Sequence, residues 1–473
     1  MSGKKPLVVD LDGTFSVTDT LLELMASFIG QRPWNIFALV GLLTKDRATL
    51  KAELARRAPI DVSVLPLNDD VVQMIRQAKA EKRPVVLATG SDQHIADMVA
   101  KEWTFFDEVF SSTPGTNLTS HKKAEALVER FGEKGFDYIG NDYADLAVIA
   151  HADHGFLVAP SATLLKKARA TGTPVNDVGS QTSRWPGLFR TLRPHQWAKN
   201  GLLVIPALAA QLALPDIALP LILGFVFFSL MSSSAYVVND VLDIQHDRAH
   251  RTKKSRPLAS GAVSVKQAAA IAPVMAVVSL AGSWFYFGVG FTAVVAAYAV
   301  ATLAYSTRLK RVALVDVFFL AGLYGVRIFA GAIAVAVPLS PWLITFSLFA
   351  FLSLALAKRF TELLSHDNES DGGVRGRGYV DADSPLVAVF GVTSGFIAGV
   401  ILALYVDDAP TLGLYSSPEI LWAVVPIWLY WISRTWLLAH RGTMNDDPVL
   451  FALTDRVSYL VGAALVVTLF LAR

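Results

Sequence analysis

Cysteine is absent from all 473 residues of this chain, which excludes disulfide bonds and thiolate metal centres outright. Charge is sparse: Asp, Glu, Lys and Arg make up 17% of the sequence against 53% hydrophobic residues, and the mean hydropathy is +0.45. An apolar share of that size, laid out in long unbroken runs, excludes an ordinary soluble protein and indicates a membrane protein. A cleavable signal peptide is not expected, because Met1 to Pro6 leads straight into a strand followed by acidic residues. The formal net charge of +2 says little, whereas its distribution is informative. No nucleic-acid partner is expected.

Acidic residues are scarcest in the second half, which makes one cluster there stand out. Asn239-Asp240-Val241-Leu242-Asp243-Ile244-Gln245-His246-Asp247 follows the apolar run Phe225 to Val238 and precedes Arg248, Arg251, Lys253, Lys254 and Arg256. Asp240, Asp243 and Asp247 are spaced i, i+3, i+7, so on a helix they fall within roughly 60° of one face. Hard oxygen donors converging at a membrane edge suit Mg²⁺, which keeps several waters and bridges carboxylates to substrate phosphates. The alternative is a solvated acidic face on a juxtamembrane loop.

Composition divides the chain. Residues 1–170 read as an α/β domain: Leu7 to Val9, Val85 to Leu87, Asp137 to Ile139 and Gly155 to Val158 are short buried strands, separated by helical stretches such as Lys122 to Phe131. Strands alternating with helices predict a Rossmann-like, doubly wound parallel sheet with polar groups at the strand C-termini. Residues 171–188 read as a linker, since Gly172 to Ser183 is rich in Thr, Ser, Gly and Pro. Residues 189–473 predict an all-α polytopic membrane bundle. About nine apolar spans are expected, near 198–214, 217–238, 266–285, 289–306, 312–336, 341–357, 385–406, 419–438 and 454–472.

Lysine and arginine follow spans two, four, six and eight (Arg248 to Arg256; Arg308, Lys310 and Arg311; Lys358 to Arg377; Arg441) and are missing after spans one, three, five and seven. The positive-inside rule then places the N-terminal domain and the acidic cluster in the cytoplasm, with the spans in the inner membrane.

In the first half, Asp10-Leu11-Asp12-Gly13-Thr14 follows a buried strand. Asp10 there suits a nucleophile that takes up a phosphoryl group with Mg²⁺ neutralising charge, and Asp12 suits the proton donor to the leaving oxygen. Thr89, at the end of a second strand, would hold the phosphoryl group; Lys123 supplies a cation, and Asp142 and Asp145 supply further carboxylates. These pieces, in this order over residues 5–165, resemble the haloacid dehalogenase-like phosphatases. The resemblance implies a helical cap at about residues 15–84 that screens substrates, and metal binding by Asp10, Asp12, Asp142 and Asp145. Gly140-Asn141-Asp142-Tyr143-Ala144-Asp145 has Asn where the family usually has its first metal-binding Asp. Asp142 is then the candidate to replace it. Trp34 to Leu43 is apolar but too short to cross a bilayer, and reads as cap core rather than as a surface docked on lipid.

In the second half, Lys358, Arg359 and Glu362 lead into His366, Asp367, Asp371, Arg375, Arg377 and Tyr379. Lys358 and Glu362 share a helix face at i, i+4. Arg327 stands inside the fifth expected span, and a charge at membrane depth marks a functional site by default. Asp316, eleven residues earlier, points within about 20° of the same direction, giving that span a polar stripe.

Nine spans, the Asn-Asp-x-x-Asp-x-x-x-Asp motif and the later charged motif resemble the UbiA family of intramembrane prenyltransferases over residues 186–473. Arg193-Pro194-His195-Gln196-Trp197-Ala198-Lys199-Asn200, Ala357-Lys358-Arg359-Phe360-Thr361-Glu362-Leu363 and the Arg375/Arg377/Tyr379 run are most similar to the decaprenyl-phosphate phosphoribosyltransferase branch. Ser365 to Gly373 departs from that branch, so Asp367 and Asp371 carry no role. The resemblance implies phosphoribosyl diphosphate as donor, a polyprenyl phosphate lipid as acceptor, and Mg²⁺ on Asp240, Asp243 and Asp247. It also implies substrate contacts from Asn239, Lys199, Lys358, Arg359, Glu362 and Arg327. The phosphatase half would then remove the ribose 5-phosphate. A rival reading, prenyl transfer from a prenyl diphosphate to an aromatic or lipid acceptor, uses the same aspartates. A transporter fits less well, because transporters gather polar groups near the midplane.

Overall fold

The computed structural model describes residues 4–32, 34–113, 115–179, 185–366, 378–408, 415–444, 448–452 and 454–472. Asp367, Asp371, Arg375 and Arg377 lie outside them. The chain forms two compact units, one of Met1–Leu192 with Val237–Ala272, the other of Arg193–Tyr236 with Pro273–Arg473.

In the first unit, β1 (Leu7–Val9), β2 (Val85–Asp92), β3 (Glu108–Ser112), β4 (Asp137–Gly140), β5 (Gly155–Val158) and β6 (Val175–Val178) make a six-stranded sheet ordered β3-β2-β1-β4-β5-β6. Every pairing is parallel. Alternation along the strands sends Leu7, Val9, Val85 and Leu87 into one core and Val8, Val86 and Ala88 into another, as a sheet covered on both faces requires. The chain steps outward from β1 through β2 to β3, then returns to the other side of β1 for β4. A crevice at such a reversal, at the strand C-termini, is where open α/β sheets place their chemistry. Asp10 follows β1 directly.

β6 corrects the linker reading. Val175 to Val178 pairs with β5 over four residues, because Val175 buries against the sheet and the extended backbone completes its hydrogen bonds there. The sheet therefore reaches into the Thr/Ser/Gly/Pro-rich stretch.

Three helices follow the Asp10 loop: α1 (Thr20–Gln31), α2 (Asn35–Leu43) and α3 (Arg47–Arg57). Asp19 and Asp46 cap α1 and α3 by accepting two backbone N–H groups each. Leu24, Phe28, Leu39, Leu42, Leu50 and Leu54 join the sheet core. α2 departs from the expected cap core. Its Leu39 and Leu42 are buried, yet Ile36, Phe37, Val40 and Leu43 face outward.

Seven helices among the described residues are long and apolar enough to cross a bilayer: Pro215–Leu242, Val265–Phe287, Val289–Arg311, Val315–Ala334, Pro341–Leu364, Asp381–Val406 and Pro418–His440. Arg456–Ala472, where the ninth span is expected, is apolar but shorter than those seven. The first expected span is not one continuous helix. It folds as a 3₁₀ stretch, Pro194–Val204, and a five-residue helix, Ile205–Ala209. Pro206 at the start of that helix and the left-handed Gln211 (φ 53°) beyond its end stop it short.

In the second unit, helices Val315–Ala334 and Pro341–His366 pack Val317, Tyr324, Ile328, Leu352, Leu356 and Phe360 into one core with Ile432 and Trp436. Gly391 and Gly395 admit Trp436 and Ile432, whose side chains would collide with any Cβ there.

Candidate functional site

The sheet brings the sequence-predicted hydrolase residues together. Lys123, on α4 (His121–Phe131), is buried and donates to Asp10 Oδ1 at 2.7 Å and to Tyr138 Oη at 3.0 Å. Tyr138 Oη donates to Asp145 Oδ1 at 2.6 Å, and Asp145 Oδ1 lies 3.7 Å from Lys123 Nζ. Two buried carboxylates thus share one ammonium, which is sound only with such pairing. Burial pushes the Asp10 carboxyl up to about 7, an effect that Lys123 only partly offsets. For Lys123, burial alone would lower the pKa, but Asp10 and Asp145 outweigh it and hold it above the usual lysine range.

Asp12 accepts from the Thr20 N–H at 2.7 Å and from Ser91 Oγ at 2.6 Å. Thr89 is buried and its Oγ1 accepts from the Ser91 N–H at 3.0 Å. Tyr138 and Ser91 were not singled out by the sequence; strand alternation past Thr89 is the signal that reaches Ser91. Lys51 of α3 also arrives unannounced, donating to the Gly90 carbonyl and to Asn117 Oδ1 at 3.2 Å.

Asp142 does not take the place of the missing carboxylate. It is exposed, and its Oδ1 accepts from the Tyr143 N–H at 2.6 Å, capping the next turn. Asn141 is the residue that faces the Asp10 loop: its Oδ1 accepts from Thr14 Oγ1 at 3.3 Å, and its side chain fills the space a Cβ at Gly13 would need. Gly13 (φ 73°) also holds a left-handed backbone, so glycine is required twice over. Asp145 is committed to backbone N–H groups of Asn141 and Asp142 at 2.9 and 3.0 Å. Asp10 and Asp12 carry hard carboxylate oxygens of the kind Mg²⁺ takes, with the Asn141 amide oxygen as a weaker neutral donor, whereas both oxygens of Asp145 are already bonded.

In the acidic motif the helix breaks, and Asp240 and Asp247 both pair with Arg256. α5 (Leu214–Leu242) carries Asn239 and Asp240, Asp243 forms the junction, and α6 (Ile244–Ala249) carries Asp247. The Asp243 N–H donates to the Asn239 carbonyl and the Asp247 N–H to the Asp243 carbonyl, both at 2.9 Å, so the turn continues through the break. One nitrogen, Arg256 Nη1, reaches Asp240 Oδ1 at 3.2 Å and Asp247 Oδ2 at 2.5 Å. Two carboxylates that share one cationic atom can present oxygens to a divalent ion. Burial raises the Asp247 carboxyl and Arg256 partly offsets that.

Beside the motif runs an ion pair that no motif signalled. Arg248 donates to Glu23 Oε1 of α1 at 2.7 Å, with both side chains almost fully buried, and its Nε donates to the Ala259 carbonyl at 3.0 Å. Gln245 adds a bond to Glu23 Oε2 at 3.2 Å. Asp137, Asp153 and His154 also come close enough to resemble a metal site, but Arg83 and Lys5 already neutralise the two carboxylates at 2.6 Å each.

In the second unit, Arg327 is enclosed by protein acceptors: its Nε donates to Asn200 Oδ1 at 2.8 Å, its Nη2 to Tyr298 Oη at 3.0 Å, and its Nη1 to the Leu323 carbonyl. The guanidinium also lies 5.0 Å from the Tyr298 ring. These three bonds set Arg327 among protein acceptors, where it positions Asn200 and Tyr298. The expected stripe with Asp316 also resolves into two clusters. Asp316 binds Arg359 and Tyr379, the latter at 2.6 Å. Arg359 is nearly fully buried and bonds Asp316, Glu362 and, at 2.8 Å, Tyr305 Oη. Lys358 and Glu362 share a face at i, i+4, and Glu362 pairs with Arg359 at i, i+3. Lys358 is half-buried and its ammonium has no bonding partner among the described residues. Lys199 is buried with its ammonium 5.8 Å from the Tyr324 ring. An apolar cavity of about 520 Å³ is lined by Ala301, Leu314, Phe318, Phe319, Gly322 and Leu323.

Comparison with known proteins matches residues 202–459 to the UbiA prenyltransferase family. An uncharacterised protein of Sinorhizobium fredii, y4nM, is 35% identical over 467 residues, covering 97% of this chain and 89% of that one. A decaprenyl-phosphate phosphoribosyltransferase of Mycolicibacterium smegmatis is 30% identical over 290 residues, covering 60% of this chain and 91% of that one. Among solved structures, a haloacid dehalogenase family hydrolase of Salmonella enterica serovar Typhi matches at 15% identity and a TM-score of 0.25, covering 34% of this chain and 65% of that one.

Proposed function

Because the chain belongs to the UbiA prenyltransferase family, we propose that it is an integral membrane transferase that moves 5-phosphoribose from phosphoribosyl diphosphate to a polyprenyl phosphate, with Mg²⁺, at the cytoplasmic face of the inner membrane. The observation that carries this reading is the convergence of Asp240 and Asp247 on one cation-binding point at the end of an apolar helix. The choice of donor and acceptor is supported by similarity to the Mycolicibacterium phosphoribosyltransferase.

In this reading a lipid phosphate oxygen bonds to the anomeric carbon as the bond from that carbon to pyrophosphate breaks, and pyrophosphate keeps the electron pair. Mg²⁺, when bound, supplies charge neutralisation for the departing pyrophosphate. Asp240, Asp243 and Asp247 would hold it, with Asn239 beside them. Lys358, whose ammonium has no bonding partner among the described residues, and Lys199 are the proposed phosphate contacts. Arg359 orients Glu362 and Tyr305, and Arg327 orients Tyr298 and Asn200. The apolar cavity lined by Phe318 and Phe319 is suited to an isoprenoid chain.

The N-terminal domain is proposed to hydrolyse the ribose 5-phosphate of the product. Asp10 attacks phosphorus, Asp12 protonates the leaving ribose oxygen, and water then releases phosphate from Asp10. Lys123 keeps the nucleophile in place and offsets phosphoryl charge; Thr89 would hold the phosphoryl oxygens. Full-length protein given labelled phosphoribosyl diphosphate and decaprenyl phosphate should form a dephosphorylated ribosyl lipid, and Asp10→Asn should stop at the 5-phosphorylated lipid. Labelled lipid and phosphate release are the readouts. Turnover of a prenyl diphosphate with an aromatic acceptor, and none of phosphoribosyl diphosphate, would sink the reading in favour of prenyl transfer.

A further inference from the structure

Helix α2 has no charged residue from Asn35 to Leu43. Leu39 and Leu42 anchor it, while Ile36, Phe37, Val40 and Leu43 are 47%, 79%, 59% and 53% exposed. Positions 36, 40 and 43 are spaced i, i+4, i+7, so they line one face, with Phe37 beside it. A contiguous apolar face of this kind is not left in water without reason.

Two observations say what covers it. The first is place. Gly30, at the end of α1 and five residues before α2 begins, packs so tightly on α5 that an added Cβ would sit 2.9 Å from the Leu242 carbonyl. Leu242 is the last residue of Pro215–Leu242, the apolar helix of mean hydropathy 2.0 that suits a bilayer. The buried Glu23–Arg248 pair fixes the same approach from the first turn of α1. α2 thus starts beside the point where a spanning helix ends. The second is charge. Arg32 precedes α2, and Lys45 and Arg47 follow it, all exposed. The acid between them, Asp46, is occupied in capping α3, accepting from Ala48 and Thr49 at 3.1 and 3.0 Å. An apolar helix face bordered by cations is the pattern of a segment lying in the headgroup boundary of an anionic bilayer.

We propose that α2 is an interfacial helix, seated by Ile36, Phe37, Val40 and Leu43 in the same bilayer the chain spans, with Arg32, Lys45 and Arg47 on anionic headgroups. The assignment depends on the spans being inserted and is independent of the transferred group. It would hold the Asp10 crevice at the membrane surface, within reach of a lipid-linked phosphomonoester.

The cysteine-free sequence makes the test direct. Full-length Phe37→Cys and Val40→Cys, with Glu102→Cys on the hydrolase surface as a reference, are spin-labelled and reconstituted in phosphatidylcholine–phosphatidylglycerol liposomes. Power saturation with oxygen and with a nickel chelate reads depth. Labels at 37 and 40 should favour oxygen over nickel several-fold, with the reverse at 102. Nickel access at 37 and 40 equal to that at 102 would overturn the proposal. Shielding from both reagents, the mark of a protein contact such as a second copy, would overturn it equally.

Discussion

Asn141 and Gly13 meet side chain to backbone, and under the proposed function that contact bears on how the Asp10 loop would bind metal. Asn141 has the shape of aspartate and already faces Thr14, so Asn141→Asp adds a charge without new bulk. The Mg²⁺ concentration for half-maximal phosphatase activity on a small phosphate ester should fall by about 10–100-fold. An unchanged Mg²⁺ titration would mean that this position does not face the metal. Asp10 supplies a pH test. Its folded-state pKa, raised to about 7 by burial, lies above the ordinary aspartate value of about 4. Its contribution to stability is therefore complete below about 4 and is lost as pH rises through about 7. In EDTA, Asp10→Asn should raise the thermal midpoint most above pH 7, with the gain shrinking as pH falls. Scans across that range check the sign.

At the scale of elements, α1 does two jobs. Its N-terminal Thr20 N–H binds Asp12, and one turn on, Glu23 holds Arg248. Removing one partner of a buried ion pair leaves an unpaired charge, a loss of about 3–5 kcal/mol. Glu23→Ala should therefore lower the unfolding midpoint of the detergent-solubilised chain markedly. Arg248, released, would then compete for its neighbour Asp247, so transfer should fall as well; a transfer assay on the same variant checks it. None of this was legible beforehand, because Glu23 and Arg248 are separated by 225 residues and neither belongs to a recurring spacing. Helix boundaries were only partly legible. The break at Asp243 and the 3₁₀ stretch Pro194–Val204 are local backbone outcomes that an apolar run does not encode.

At the scale of the molecule, composition splits the chain near residue 180, whereas contacts group Val237–Ala272 with the N-terminal sheet. Composition records which solvent a segment meets; contacts record which segments bury one another, and the acidic segment is polar in the first sense and a partner of α1 in the second. Under the proposed function, two separate reaction sites predict separable losses. Asp247→Asn should abolish lipid transfer and leave hydrolysis of a small phosphate ester within about twofold, the range ordinary for a distant substitution. EDTA should stop both. Joint loss of both activities in Asp247→Asn would argue against two sites.

Sequence alone determined the α/β sheet, the apolar helices, the Asp10, Asp12, Thr89 and Lys123 candidates and the acidic motif, because strand alternation, apolar run length and short spacings are local properties of the chain. Tertiary structure decided the partners: Asn141 rather than Asp142 at the Asp10 loop, Arg359 on Glu362, Arg327 on Asn200 and Tyr298, and Glu23 on Arg248. A buried charge must find its counter-group wherever packing brings one, and packing joins residues that the order of the chain keeps far apart.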